Sequence, residues 1–302
     1  VTASLALGTY RVRDVVETAR MAVQAGTPWI DTAPNYADGQ ALRDLGRVLR
    51  EAPSPPLVAT KTGFFTRSQG RAALSRGLLT EQDASAGHCL DPSFVGHQVE
   101  EALALLGRVD LMFVHNPERA GHAGDRSVMH WRLREAFTAL EEQVHEGHIP
   151  GYGVATWSGL REGAFSVPEL LSLAREAAGS SDHHLIAVQM PVSLIDDAPI
   201  TQALNGGGPL VQAKDAGLIT FGSAPLHGGE LLDAMTPELV DLIRPGLSAG
   251  AAGILAAASC PALDFVLTST TNRDHWDDAV KALASPLTPE QLRRVTDELA
   301  TG

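Results

Sequence analysis

LVATKTG, residues 57–63, decides the fold. A short apolar run rich in Val and Thr and closed by glycine reads as a β-strand. Its Lys61 breaks the rule that strands covered on both faces exclude charge. Two further runs end in the same manner. Pro28–Ala33 leads into the stretch DTAPNY, which carries Asp31 and Tyr36, and Val109–His115 (VDLMFVH) ends on His115. Four polar residues thus stand at or just past the ends of successive apolar runs. In a barrel of parallel strands, those ends converge on one rim.

Moving outward, the same kind of run recurs at Leu5–Tyr10, Gly151–Thr156, Leu185–Val192, Leu218–Pro225 and Asp264–Thr270. Helix-period segments lie between the runs. In Asp91–Gly107, Asp91 caps, Pro92 opens the helix, and Val95, Val99, Ala102, Leu103 and Leu106 repeat on one face. Met129–Gly147 and Val167–Gly179 read alike, and Thr288–Thr301 is expected to form a final helix. Strands alternating with helices predict an α/β (β/α)8 TIM barrel, one domain over residues 1–302. A Rossmann sheet would need GxGxxG after the first strand, where the chain has LGTYRV. The glycine-rich stretch Asn205–Pro209 follows a polar helical segment and is expected to be a flexible loop. Two connections are long: Phe64–Leu90 after the third strand and Asn116–Val128 after the fourth. They carry Arg67, Arg71, Arg76, His88, Arg119, His122 and Arg126. Loops of that length are commonly lids or binding loops.

With 44% hydrophobic and 20% charged residues among 302, the composition is that of a globular protein. A net charge of −13 disfavours nucleic acid and anionic membranes as partners, although an anionic ligand could still meet a local arginine cluster. No apolar stretch reaches the roughly 18 residues of a spanning helix. The start, VTASLALGTY, lacks signal-peptide layout, and Cys89 and Cys260 make no disulfide framework. A cytoplasmic location is the expectation.

The four polar residues make a coherent chemical set. A tyrosine hydroxyl, with a reference pKa of about 10, exchanges protons poorly at neutral pH. A lysine ammonium beside it would stabilise the phenolate and lower that value. A buried lysine needs a counter-charge, which Asp31 would supply. A histidine can hydrogen-bond a carbonyl oxygen and help pass the proton. The set therefore suits polarising and protonating a C=O group. None of the four supplies a hydride, so a reduction would need a nicotinamide.

These segments resemble the aldo-keto reductases, (β/α)8-barrel enzymes that use a nicotinamide nucleotide with an Asp–Tyr–Lys–His tetrad. IDTAPNY is similar to the family's D-T-A-x-x-Y element, LVATKTG to V-x-T-K, and VDLMFVHNPE to D-L-x-x-x-H-x-P. Downstream, PGYGVATWSG stands where the family has G-V-S-N. VQMPVSL stands at the glutamine-bearing sixth strand, and ITFGSAPLHGGEL at the S-P-L-x-G-x-L loop. The resemblance implies that Tyr36 is the general acid/base, that Lys61 and Asp31 tune it, and that His115 orients the carbonyl. It further implies that Thr156 and Gln189 hold the carboxamide, and that Ser223, Leu226 and Gly228 lie along the pyrophosphate. Ala155-Thr156 replaces the usual Ser-Asn. TSTTNRDHWDDA, after the eighth strand, lacks the usual adenosine-binding start and has Asp278-Ala279 in place of a later Glu-Asn pair. Arg273 and His275, with Thr270 and Asn272, are the expected contacts of a 2′-phosphate, although Asp274, Asp277 and Asp278 oppose it. NADP(H) is favoured over NAD(H).

Other site types find less support. Eleven histidines form no HExxH or Cys/His cluster, so no metal is expected, and no GxSxG marks a serine nucleophile. Tyr10 and Trp157 fall near strand ends and could line a pocket mouth. Trp29 lies at the opposite end of its strand, and Trp131 could meet substrate or pack its helix. The expected activity is interconversion of an aldehyde or ketone and its alcohol, with a small-molecule partner. Two alternatives stay open. One is hydride-free dehydration, isomerisation or cyclisation on the same residues; the other is a nucleotide-binding regulatory subunit. Substrate identity and oligomeric state are not legible.

Overall fold

Each of the eight apolar runs forms a parallel strand in the computed structural model, which describes residues 2–120 and 125–301. They are β1 (Ser4–Gly8), β2 (Trp29–Asp31), β3 (Leu57–Thr62), β4 (Leu111–His115), β5 (Tyr152–Ala155), β6 (Leu185–Pro191), β7 (Ile219–Ser223) and β8 (Phe265–Thr268). Their order closes a barrel from β1 round to β8, so the expected (β/α)8 architecture is the one observed. Most strands are shorter than their apolar runs. Thr156, expected within the fifth strand, stands one residue beyond β5.

The chain divides into two compact units, Thr9–Val188, and Val1–Gly8 with Gln189–Gly302. In the first, β2, β3, β4 and β5 pair in parallel. Asp31 is in register with Ala59, and Lys61 with Phe113. Side chains of one strand alternate between faces, so Ala59 and Lys61 share one. The helix Pro92–Leu106 forms as its sequence dictates. Asp91 accepts from the Ser93 N–H, Pro92 opens the first turn, and Gly107 ends it at φ 85°. Helix Ala41–Glu51 packs so near that a Cβ on Gly46 would lie 2.0 Å from the Leu105 carbonyl oxygen, so only glycine fits there. In the second unit β1 and β7 flank β8, and the apolar helix Ala249–Ala258 is buried almost throughout.

The connection Phe64–Leu90 is not a structureless lid. It holds two helices, Arg67–Ser75 and Glu81–Ala86, each begun by a capping box: Thr66 with Gln69, and Thr80 with Asp83. Phe65, Ala73, Leu79, Cys89 and Phe94 form a small core beneath it. Burying a phenylalanine stabilises by ~1.5–3 kcal/mol, enough to hold such a segment to the body. After β4, residues Pro117–Ala120 form a 3-10 turn, and the next helix starts at Arg126 rather than Met129. The Asn205–Pro209 expectation is corrected likewise. Gly208 and Pro209 open the helix Gly208–Asp215, because proline's fixed φ suits a first helical turn.

Candidate active site

Lys61 and Asp31 form an ion pair of 2.5 Å, with side chains only 1% and 5% exposed. The pair is possible because β3 carries Lys61 on the same face as Ala59, the register partner of Asp31. Lys61 Nζ also donates to the Thr32 carbonyl at 3.0 Å, so two of its three N–H groups are used. The ammonium lies 5.0 Å from the ring centroid of Tyr36. Across that ring stands His115, edge-on at 6.2 Å between centroids. Asp31, Tyr36, Lys61 and His115 are thus brought together, as their motif order suggested. Tyr36 is carried on a turn in which Ala37, Asp38 and Gly39 all have left-handed backbone, at φ 47°, 51° and 85°. Such conformations cost L-residues roughly 1–2 kcal/mol each, strain of the kind that gathers at functional loops.

Burial raises the Tyr36 hydroxyl well above the ordinary tyrosine value, and Asp31 and Tyr10 push the same way. The sequence predicted the opposite, a lysine-lowered phenol. The lysine's charge is instead committed to Asp31, and Tyr36 holds its proton. Burial lowers Lys61 itself, against the opposing pull of Asp31. Burial, with Lys61 and His88 nearby, drives His115 well below its ordinary value, so its imidazole is neutral. Its Nδ1 is buried with no hydrogen-bond partner.

A layer of residues that the motifs did not flag holds this group. His88 Nε2 donates to the His115 carbonyl at 2.8 Å. The ring of Phe64 meets His115 edge-on at 4.8 Å. Gln98 accepts from the Thr62 hydroxyl and the Gly63 N–H, each at 2.7 Å, and donates to the Phe64 carbonyl at 3.0 Å. One buried amide therefore fixes the three residues that follow Lys61. Gly63 is required there: its φ is 118°, and a Cβ would lie 2.8 Å from His88 Nε2. The signal for Gln98 was present, since a polar residue next to Val99 interrupts the core face of its helix.

Thr156 is not free in the way its motif position implied. Its hydroxyl donates to Glu118 Oε1 at 2.8 Å and accepts from the Gly159 N–H at 2.8 Å. The same carboxylate oxygen accepts from the N–H groups of Trp157 and Ser158, while Glu118 Oε2 is buried without a partner. Glu118 was legible only as part of HNPE.

In the other unit, Gln189 lies buried on β6 and Ser223 ends β7. The loop beyond carries Leu226 and then Gly228 at φ 70°, with Ala224, His227 and Gly229 also left-handed. After β8, Thr270 accepts from the Asn272 N–H at 3.1 Å, and Asn272 caps the helix Arg273–Leu283 by accepting from the Asp274 N–H. Arg273 Nε donates to Asp277 at 2.8 Å, and His275 is exposed. Three of these four residues are engaged locally.

The loop cations separate. Arg126 is bound by both oxygens of Glu169, and Arg76 meets His97. Arg67 and Arg71 are exposed, and Arg119 lies over the Phe64 ring. His122 lies outside the described residues. Tyr10, Trp157 and Trp131 are half exposed, whereas Trp29 is buried. Cys89 and Cys260 are buried free thiols. Among the described residues no group of three or more His, Cys, Asp and Glu could hold a metal ion. No helix among them is long and apolar enough to cross a membrane.

Comparison with known proteins gives consistent matches. A model of the Aldo/keto reductase family matches residues 2–239. A pyridoxal 4-dehydrogenase of Microbacterium luteolum is 29% identical over 231 residues, covering 69% of this chain and 63% of that protein. A D-threo-aldose 1-dehydrogenase of a Pseudomonas species is 30% identical over 189 residues, covering 60% and 51%. The match thus spans less than two thirds of either relative's length. Among solved structures, a glycerol dehydrogenase from Gluconobacter oxydans has a TM-score of 0.70 at 19% identity, covering 98% of this chain and 91% of that one. An aldo-keto reductase from Klebsiella pneumoniae in complex with NADPH has a TM-score of 0.67 at 18% identity, covering 99% and 95%. At such identities the structural likeness carries the fold alone.

Proposed function

The chain belongs to the aldo/keto reductase family, and on that premise we propose that it is a nicotinamide-dependent oxidoreductase. It interconverts an aldehyde or ketone and the corresponding alcohol. The observation that carries the reading is the buried Lys61–Asp31 pair set against the ring of Tyr36, with a neutral His115 beside it. Tyr36 is the proton donor to the carbonyl oxygen in reduction, and its raised pKa keeps that proton in place until charge develops. As the proton leaves, the phenolate is stabilised by Lys61, whose third N–H is not used by Asp31 or Thr32. His115 Nδ1 has no acceptor, so the neutral ring keeps its proton on Nε2 and offers that N–H to the carbonyl oxygen. The Asp31 charge holds Lys61 protonated in a buried place.

The residues present fit a nicotinamide nucleotide. The loop after β7, with Ser223 and Leu226 on it, has left-handed backbone at Ala224, His227, Gly228 and Gly229. The His227 and Gly229 N–H groups go to the Ala224 and Leu226 carbonyls, so the remaining N–H groups of the turn are the ones offered to anionic oxygens. Gln189 is the buried amide for the carboxamide. In its own unit Thr156 retains a lone pair, its hydroxyl hydrogen being given to Glu118. The nicotinamide, when bound, supplies the hydride. Arg273, which meets Asp277 through Nε and keeps its terminal nitrogens, favours NADP(H) over NAD(H), with His275, Thr270 and Asn272 around it. Two neighbours are described in complex with NADP or NADPH, which supports the cofactor class.

The test is titration with NADPH and NADH, followed by nicotinamide fluorescence, and then a panel of aldehydes and ketones. The expected result is tighter binding of NADPH and turnover of at least one carbonyl. Binding of neither nucleotide would refute the reading. Binding without turnover would support a nucleotide-binding regulatory subunit instead.

A further inference from the structure

We propose that the mouth above Tyr36 selects carbonyl substrates that carry an anionic group, such as a carboxylate, held by Arg11 and Arg119. The inference rests on the carbonyl-oxidoreductase reading and names its substrate class. It starts from a continuous arc of contacts. Arg11 lies over the ring of Tyr10 at 5.2 Å. Tyr10 packs on Tyr36 at 5.0 Å, and Tyr36 meets His115 at 6.2 Å. Phe64 meets His115 at 4.8 Å, and Arg119 lies over Phe64 at 5.5 Å. The two proton-handling side chains occupy the middle, aromatic rings flank them, and a guanidinium closes each end. All six residues belong to the unit Thr9–Val188.

Charge accounting explains why an anion fits. Within the same unit Arg20, Arg108, Arg126 and Arg134 each reach a carboxylate at 2.6–3.2 Å. Arg11 and Arg119 have no carboxylate partner among the described residues. Other arginines of the unit also lack a carboxylate; what sets Arg11 and Arg119 apart is that each lies over a ring that itself meets Tyr36 or His115. Beneath them the Lys61–Asp31 pair is neutral overall and His115 is uncharged, so neither offsets the guanidinium charge. The Glu118 carboxylate keeps its charge but forms no ion pair with Arg119: its Oε1 accepts from Thr156, Trp157 and Ser158, and its Oε2 is buried. Asp38 turns toward a separate cleft lined by Arg43, Thr66 and Gln69.

Backbone strain gives a second, independent indication. Arg11 has φ 59°, a left-handed conformation unusual for a long side chain, and Asn116, next to His115, has φ 46°. The chain accepts strain at the residue that delivers Arg11 beside Tyr10, as functional loops do. Both guanidinium groups are exposed and present planar donor forks suited to a carboxylate. The aromatic faces between them suit a flat or apolar substrate body.

The test compares 4-formylbenzoate with its methyl ester, the same aldehyde with and without charge, in the wild type, Arg11→Gln, Arg119→Gln and the double variant. The wild type is expected to prefer the acid by about tenfold in kcat/KM, mainly through KM, with the preference weakening as salt rises. Each single variant should raise KM for the acid several-fold more than for the ester, and the double variant should erase the preference. Equal use of acid and ester by the wild type would overturn the inference while leaving the oxidoreductase reading intact. Equal losses on both substrates in the variants would overturn it too. If neither compound is reduced, calorimetric binding of the two decides: acid-selective binding that the double variant removes supports the anion site, and indifferent binding refutes it.

Discussion

Replacing Lys61 with methionine keeps the length and volume of the side chain and removes its charge. The substitution leaves the Asp31 carboxylate in an interior where it is 5% exposed and has lost a partner at 2.5 Å. Surface pairs are worth about 0–1 kcal/mol because water screens them, but that discount does not apply at 1% and 5% exposure. Breaking a buried pair from one side typically costs ~3–5 kcal/mol. Lys61→Met is therefore expected to destabilise by that amount, and Asp31→Leu by a similar amount, since it strands the ammonium. In the double variant neither charge of the pair is left unpaired, and the Thr32 carbonyl loses its donor, at about 1–3 kcal/mol. The double variant should thus be far more stable than the sum of the singles predicts. Urea unfolding followed by circular dichroism, with a common m-value, measures the cycle. A cost below about 1 kcal/mol for Lys61→Met, or strict additivity in the double variant, would refute the buried-pair account.

Two further outcomes follow from the same surroundings. Gln98→Ala orphans the Thr62 hydroxyl, the Gly63 N–H and the Phe64 carbonyl at once. It should cost ~2–5 kcal/mol in urea unfolding and alter both kcat and KM, because Phe64 packs on His115. His115 and His88 are both held below the ordinary histidine value by burial. The unfolded chain therefore binds more protons below about pH 6.5. That stability is complete above the unfolded pKa and is lost as pH falls toward the folded values. Urea midpoints should drop from pH 7.5 to 5.5, less so in His88→Gln, and a flat profile in both proteins would contradict the assignment.

Much of the fold was legible because its signals are local. The Asp91–Pro92 start and Gly107 stop of one helix, and the apolar runs of the eight strands, are written in adjacent residues. The Phe64–Leu90 connection was misread because its polar composition masked two capping boxes and because Phe65 finds Phe94 only in three dimensions. The tetrad could be read from motif order and strand ends. Its electrostatics could not: the direction of the Tyr36 shift is set first by burial and then by Asp31 and Tyr10, which no spacing reveals. Contacts at long separation were also invisible, including Glu118 with the backbone after β5 and Arg126 with Glu169. The second of these removes one arginine from the set that could meet an anion. Arg11, outside both long connections, joins that set only through its ring contact with Tyr10.

The central claim is that Tyr36 carries the proton transfer. Single-turnover carbonyl reduction by Tyr36→Phe, measured beside its nicotinamide affinity, tests it most directly. The ring contacts with Tyr10, Lys61 and His115 survive in phenylalanine, so nucleotide binding and fold should be retained. The reduction rate should fall by ~10²–10⁴. A Tyr36→Phe enzyme that binds nucleotide and still reduces its carbonyl substrate at the wild-type rate would contradict the account.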